Sequence, residues 1–461
     1  MTTATLVRDQ PQQTKTTRGE QLVNYIAGTG RRSYPPEITE AALQALVDHL
    51  GCAVGAWNDA TALPARSVVN RWKASGNARV YMGGLTTAAL AAFANGSMAH
   101  AMDYDDTHAG GAGHPGGPCW SAALALAQEH GTSENETLAA FITGFEVVAK
   151  LGGGWVPGVG RSLQRRGWHP TSIFGRVGAA AVGCVIMKLD EARIANALGV
   201  AATTAGGLVG SFGTHGKPFH SGKAAMDGVL SAQLAADGFV AATHLYELEK
   251  GLLDALIQDR KVEVPTLDDF EKKWELLENQ FKPFASCRAT HSSIQAARSL
   301  ATQVRGRKIT KVHAKVHPNA LITAGKTAPR TPLEGKFSVP FCIALGLAGY
   351  RVVASDFNET AFNDPAVANV VPRITLEAVQ DQPAFKAFLE VTLEEGTRLH
   401  GETQCVLGHP DNPLTWDALR EKFDGLVEPV LGAEKTEKLF DLGRNFLQPG
   451  SIAKISDLLA R

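Results

Sequence analysis

Cysteine is scarce and scattered in this chain. Cys52, Cys119, Cys184, Cys287, Cys342 and Cys405 form no CxxC pair, and no two lie close enough in sequence to suggest a zinc clip. Single cysteines dispersed through a chain of 461 residues predict reduced thiols and a cytoplasmic setting. Excess charge is also lacking: 45 basic residues stand against 46 acidic ones, a net charge of -1. That predicts no global field for nucleic acid or an anionic membrane, while leaving room for local anion sites. No apolar run is long enough to span a membrane. The opening MTTATLVRDQPQQTKTTRGEQ has no apolar core of a secretory signal and reads as a polar, disordered tail over residues 1–18.

What is present is mostly helix. Between about Gly19 and Gly251 strand signals are nearly absent. Ile38–Leu50, Thr86–Met102, Pro118–His130, Glu136–Leu151, Ser172–Leu189, Glu191–Ala205 and Ser221–Ala236 carry apolar residues at spacings of three and four. Many are rich in small residues and apolar on most sides, which suits close packing inside a large bundle. After about Glu278 the pattern changes. Ile309–His317 alternates like a half-buried strand, AFLEVTL and TRLHGE flank a turn at Glu394–Gly396, Arg373–Ala378 is a further short strand, and Phe337–Leu347 reads as an apolar helix. From Thr415 the chain is helical again. The expectation is a mainly α protein: a helical domain from residues 19–275 with 405–461, and a smaller α+β lid from 276–404.

Four segments concentrate chemistry. AHAMDYDDTHAGGAGHPGG (Ala99–Gly117) gathers three Asp and three His where an apolar helix breaks into glycine. If the helix continues through Asp103, then His100, Asp103 and Thr107 share a face. A helix end with solvated acids is the competing reading, and Asp105, Asp106 and His108 are assigned to turn structure. In GWHPTSIFG (Gly167–Gly175), His169 precedes a proline and stands at the positive end of a helix capped by Thr171 or Ser172. That position lowers its pKa and attracts anions. GSFGTHGKPFHSGKAA (Gly210–Ala225) carries Lys217 and His220 in a glycine-rich loop ahead of a helix capped by Ser221. It lacks the spacing and preceding strand of a phosphate loop. FKPFASCRATHSS (Phe281–Ser293) holds Lys282, Cys287, Arg288 and His291. Arg288 is a natural carboxylate fork, and Cys287 is either an activated thiolate or a small buried hydrophobe. His114, His169, Lys217 and Lys282 each precede a proline, and cationic or donor groups at several helix starts would make a pocket for a compact polyanion. The histidines lack HxH or HExxH spacing, so no metal is expected.

Five strings in order, AHAMDYDDTH with GHPGG, GWHPTSIFG, GKPFHSGKAAMDGVLSAQLAADGF, KPFASCRATH and RTPLEGKFSVPF (Arg330–Phe341), resemble the MmgE/PrpD family. That family includes 2-methylcitrate dehydratase, cis-aconitate decarboxylase and iminodisuccinate epimerase. The resemblance implies a site in the cleft between the two domains, no metal or organic cofactor, and a homodimer. It places Asp103, His114, His169, Lys217 and Lys282 as catalytic, with Thr107, His220, Arg288 and His291 on the substrate. The implied reaction is proton abstraction next to a carboxylate of a small di- or tricarboxylate. Dehydration leads among the outcomes, then epimerisation, then decarboxylation, with a non-catalytic carboxylate-binding protein as the rival class. Decarboxylation comes last because Phe341 and the surroundings of Cys287 depart from the decarboxylases, which carry Tyr and His there.

Overall fold

Many helices of the first half begin at a side-chain cap or a proline. The computed structural model describes residues 16–108, 110–111, 113–153, 158–259 and 261–461. Residues 1–15 of the expected disordered tail lie outside the described residues. The first helix, α1 (Arg18–Ala27), starts with a Thr17–Glu20 capping box. It is followed by α2 (Pro36–Gly55), α3 (Ala88–Ala101), α4 (Gly116–His130), α5 (Glu134–Gly152), α6 (Pro170–Ile186), α7 (Glu191–Thr203) and α8 (Gly216–Ala236). One buried cluster runs through these helices and takes in the C-terminal α11 (Trp416–Leu431), α12 (Ala433–Arg444) and α13 (Ser451–Leu458). Among the described residues no helix is long and apolar enough to cross a membrane.

Two local readings of the sequence are corrected here. First, α8 begins at Gly216, five residues before the expected start, so Lys217 and His220 ride on helix and Ser221 is not the cap. Pro218 falls in the first turn, where its missing N–H is no loss, and thus marks a helix start instead of a loop. Second, α3 stops at Ala101, and Asp103 takes φ 52°, in the left-handed region. His100, Asp103 and Thr107 therefore share no helical face. Thr107 instead lies in β1 (Thr107–His108), which pairs antiparallel with β2 (Asn279–Gln280). That two-residue pairing ties the acidic segment to the segment carrying Lys282.

A second buried cluster runs from Phe284 to Leu393. Its sheet has the order β4-β3-β5-β6, where β3 is Ile309–Val316, β4 Ile374–Ala378, β5 Ala387–Leu393 and β6 Arg398–Thr403. Strands β3 and β4 are parallel; β5 is antiparallel to both β3 and β6. Along β5 the residues Ala387, Leu389, Val391 and Leu393 are buried and alternate with partly exposed ones. The buried face takes α9 (His291–Val304) and α10 (Val339–Leu347), the latter capped by Ser338.

Close helix approach holds α8 against α3. A Cβ on Gly222 would stand 2.1 Å from Ser97 Oγ and 2.2 Å from Phe93 O. Those atoms belong to the inside of α3 and cannot withdraw without moving the helix. Gly222→Ala should therefore cost about 1–3 kcal/mol and lower the melting temperature by several degrees. An unchanged melting temperature in differential scanning fluorimetry would contradict this packing.

Candidate active site

Asp103 is the hub of the site. Its Oδ1 accepts from Lys217 Nζ at 2.8 Å and Lys282 Nζ at 2.6 Å, and His114 Nε2 stands 3.9 Å away. Lys217 arrives on the first turn of α8, and Lys282 from the segment after β2. All three side chains are buried. Burial pushes the Asp103 carboxyl upward, but Lys217, Lys282 and the neighbouring imidazoles overcome it and hold it far below the usual carboxylate range. Removing one member of such a buried pair strands the other charge, at about 3–5 kcal/mol.

Behind Asp103 runs a histidine network. His100 Nδ1 lies 2.8 Å from Asp105, and Lys217 Nζ lies 2.9 Å from His100 Nε2. Since an ammonium can only donate, Nε2 accepts and His100 carries its proton on Nδ1 toward Asp105. Asp105 also lies 3.4 Å from His114 Nδ1. It orients both rings, so it belongs to the site and is more than the turn residue expected from sequence. Asp106 does serve structure, accepting from Gly116 N and from Asn279 Nδ2. His108 does too, since its Nδ1 accepts from Gly111 N. Thr171 near the start of α6 accepts from His114 N, placing His114 beside His169.

His169 is the N-cap residue of α6 with extended backbone, as the following proline requires. Its Nδ1 lies 3.0 Å from His220 Nδ1, leaving Nε2 as its remaining nitrogen. Burial, then Lys217 and the other imidazoles, hold His169 well below the usual histidine pKa. Burial lowers His114 to about 3 and His220 to about 4 in the same way. Site histidines are thus neutral beside two ammonium groups.

The site opens into a cleft lined from both clusters. Asp103, Thr107, His114, His169, Lys217 and Arg288 line it, whereas Lys282, His220 and His291 stand behind that wall. Thr107 Oγ1 donates to Gly113 O across the glycine loop. Arg288 is fixed by Gln280 and His291, but its buried Nη2 has no partner. His291 is fully buried between Arg288 and Ser286 O, so it is set to orient the arginine. The sequence reading missed Arg161, His317 and His409, which line the opposite wall. Only Arg161 carried a signal, lying eight residues before His169 on a short helix (Val159–Arg165) ahead of the GWHP turn. Cys287 also lines the cleft, and burial raises its thiol pKa, which argues against a resting thiolate.

His100, Asp103, Asp105 and His114 offer ligand atoms within 4.8 Å of one another, close enough to consider a cation. A divalent ion at Asp103 Oδ1 would, however, face the ammonium groups of Lys217 and Lys282. The donor set fits a carboxylate already neutralised by protein cations.

Comparison with known proteins agrees with this architecture. The MmgE/PrpD N-terminal domain model matches residues 20–265 and the C-terminal domain model residues 284–445. The chain belongs to the MmgE/PrpD family. Human cis-aconitate decarboxylase is 26% identical over 371 residues, covering 77% of this chain and 76% of the relative. A cis-aconitate decarboxylase-like protein of Aspergillus oryzae is 23% identical over 471 residues, 95% of this chain and 96% of the relative. The Aspergillus terreus cis-aconitate decarboxylase is 22% identical over 475 residues, 95% of each chain. These relatives support an MmgE/PrpD enzyme acting on a carboxylate.

The buried imidazoles make a sign prediction for stability. His49, His100, His114, His169, His220 and His291 all sit below the model-peptide value of 6.5 in the fold. On acidification through about pH 6.5 the unfolded chain takes up these protons and the fold does not, so stability falls by up to about 1.4 kcal/mol per pH unit for each histidine. Asp103 and Asp105, held low, add to the loss at still lower pH. Glu146, raised to about 8, and Asp106, also raised, oppose it but are fewer. Melting temperature should drop steadily from about pH 7.5 to 5.5. A flat profile would show that the histidines are not held neutral.

Proposed function

We propose that the chain is a lyase that takes a proton from a carbon next to a carboxylate in a small di- or tricarboxylate, using only its own side chains. The observation that carries this reading is the neutral histidine pair of His114 and His169 set beside Lys217 on one cleft wall, with Arg288 on the same cleft. A polycarboxylate needs cations for its charge, and proton abstraction needs an unprotonated base within reach. The substrate's own negative charge would raise the histidine pKa values from their low resting level, which makes the neutral imidazole a stronger base once the complex forms.

In this reading Arg288, through its unpartnered Nη2, and Arg161 take a remote carboxylate. Burial lowers both guanidinium groups to about 10, which still leaves them charged near neutrality. His169 takes the proton from the carbon, electrons move onto the adjacent carboxylate, and Lys217 stabilises the charge that develops there. The proton on the His169 imidazolium is then handed back by way of the His114 ring, held by Asp105, which leaves both imidazoles neutral. In the lead outcome that proton goes to a hydroxyl on the neighbouring carbon, which leaves as water, so the net reaction is dehydration of a hydroxy acid. Decarboxylation is the second reading, favoured by the names of the relatives above. The homodimer and the cytoplasmic setting belong to the same proposal.

Two measurements test it. Asp103→Asn, His169→Gln and Lys217→Ala should each lower turnover by at least about 100-fold while circular dichroism stays native. Wild-type turnover in these variants would remove the assignment. Incubation of citrate-like hydroxy acids and cis-aconitate in deuterated water, followed by NMR, separates the outcomes. A new vinyl signal marks dehydration, and release of carbon dioxide marks decarboxylation. Deuterium at a recovered carbon marks epimerisation. Saturable binding without any of these would leave a carboxylate-binding protein. Arg161→Gln should raise KM about tenfold or more with kcat nearly kept, because it removes ground-state binding of a distant group. A fall in kcat alone would contradict that role.

A further inference from the structure

Three consecutive carbonyls of the acidic segment are each held by a lysine from elsewhere in the chain. Lys336 Nζ donates to Met102 O at 2.6 Å, Lys282 Nζ to Asp103 O at 2.8 Å, and Lys422 Nζ to Tyr104 O at 2.6 Å. The three lysines are buried, at 6%, 0% and 8% exposure. They come from the turn before α10, the segment after β2 and the middle of α11. Lys282 also holds the Asp103 carboxylate, and Lys422 also pairs with the buried Asp48. Lys336 is different. Among the described residues its one polar partner is Met102 O, and its ammonium lies 5.2 Å from the centre of the Phe357 ring.

A buried ammonium given no carboxylate is costly unless its position does something. The carbonyls it and its two companions satisfy lie at the break where α3 ends. There the Asp103 N–H turns back to His100 O, and Asp103 adopts φ 52°. A helix that ends in the left-handed region usually places glycine at this point and leaves the outer carbonyls to water. Aspartate adopts this conformation more readily than most residues but less readily than glycine. Three ammonium groups in place of water offset that difference and fix which way the carboxylate leaves the backbone. Lys336 is itself firmly placed, because its carbonyl accepts from Cys287 N and it lies two residues before the α10 cap. The RTPLEGKFSVPF string, whose Phe337 ring centre lies 5.6 Å from Lys217 Nζ, reaches the acidic segment through this lysine.

We infer that Lys336 is a positioning residue. With Lys282 and Lys422 it clamps the 102–104 backbone in the kink that presents Asp103 Oδ1 to Lys217, so docking of the α+β unit completes the acidic centre. The inference rests on the reading of Asp103 as the hub of catalysis.

The test uses the full chain. Lys336→Ala should lower kcat about 10- to 100-fold and leave KM within about twofold, since misplacement of a reacting group by an ångström is enough for such a loss. Propylamine, which can fill the vacated ammonium site, should restore a substantial part of kcat in Lys336→Ala and leave the wild type unchanged. A crystal structure of Lys336→Ala should show Asp103 leaving the left-handed region. Wild-type kcat in Lys336→Ala while Asp103→Asn is inactive overturns the clamp. A loss that propylamine does not reverse, with the Asp103 backbone unmoved, overturns it too. Full turnover in Asp103→Asn would instead remove the functional reading. The Asp103 backbone in Lys336→Ala then still decides the clamp, independently of activity.

Discussion

A buried aspartate neutralised by two lysines organises this protein. Asp103 has no access to bulk water, and its charge is sustained only because Lys217 and Lys282 reach Oδ1 from different parts of the chain. Everything around it follows from that constraint. Helix α8 must lie close on α3 to deliver Lys217, which is why glycine is required where the two helices touch. The segment after β2 must run beside the acidic stretch to deliver Lys282, and the short pairing of β1 with β2 holds it there. With the carboxylate locked, the surrounding imidazoles are held neutral, and His114 and His169 face the cleft.

Electrostatic preorganisation gives the cleft its character. Its helical wall carries acid–base groups whose hydrogen bonds are already formed, from Asp105 through His100 to Lys217 and from His220 to His169. Arg161, Arg288, His317 and His409 also line the cleft, and Arg288 keeps a nitrogen uncommitted. A substrate with charges at two ends meets fixed partners at both, so little reorganisation is needed when charge moves within it. Relatives that match most of the chain are named for decarboxylation of cis-aconitate.

Much of this was legible in the order of residues. Apolar spacing located α2 through α7 to within a few positions, and alternation located β3 and β5, because both periodicities report burial directly. Residue chemistry found Asp103, His114, His169 and Lys217. Three kinds of feature escaped. Periodicity cannot see a left-handed residue, so continuation of α3 through Asp103 stayed open, although aspartate in the place of a terminal glycine is a signal for strain held in a site. Gly216 and Pro218 were read as loop, although proline in a first turn is equally a helix start. Arg161 was marked only by its place ahead of the GWHP turn, whereas His317, His409 and Lys336 reach the centre or its cleft through the fold, which no local pattern reports.

The lysines that balance the buried acids impose an order on the birth of the molecule. Asp48 and Asp103 belong to the first quarter of the chain, but their cations include Lys282 and Lys422. A ribosome that has released only the N-terminal helices has produced an apolar bundle in which Asp103 has Lys217 but lacks Lys282, and Asp48 lacks Lys422. Those helices must wait, loosely collapsed or with their carboxyls protonated or wet, until the last fifty residues emerge. The native core is thus closed by α11, and any truncation before Lys422 leaves the first half of the protein without a charge it needs to become dry.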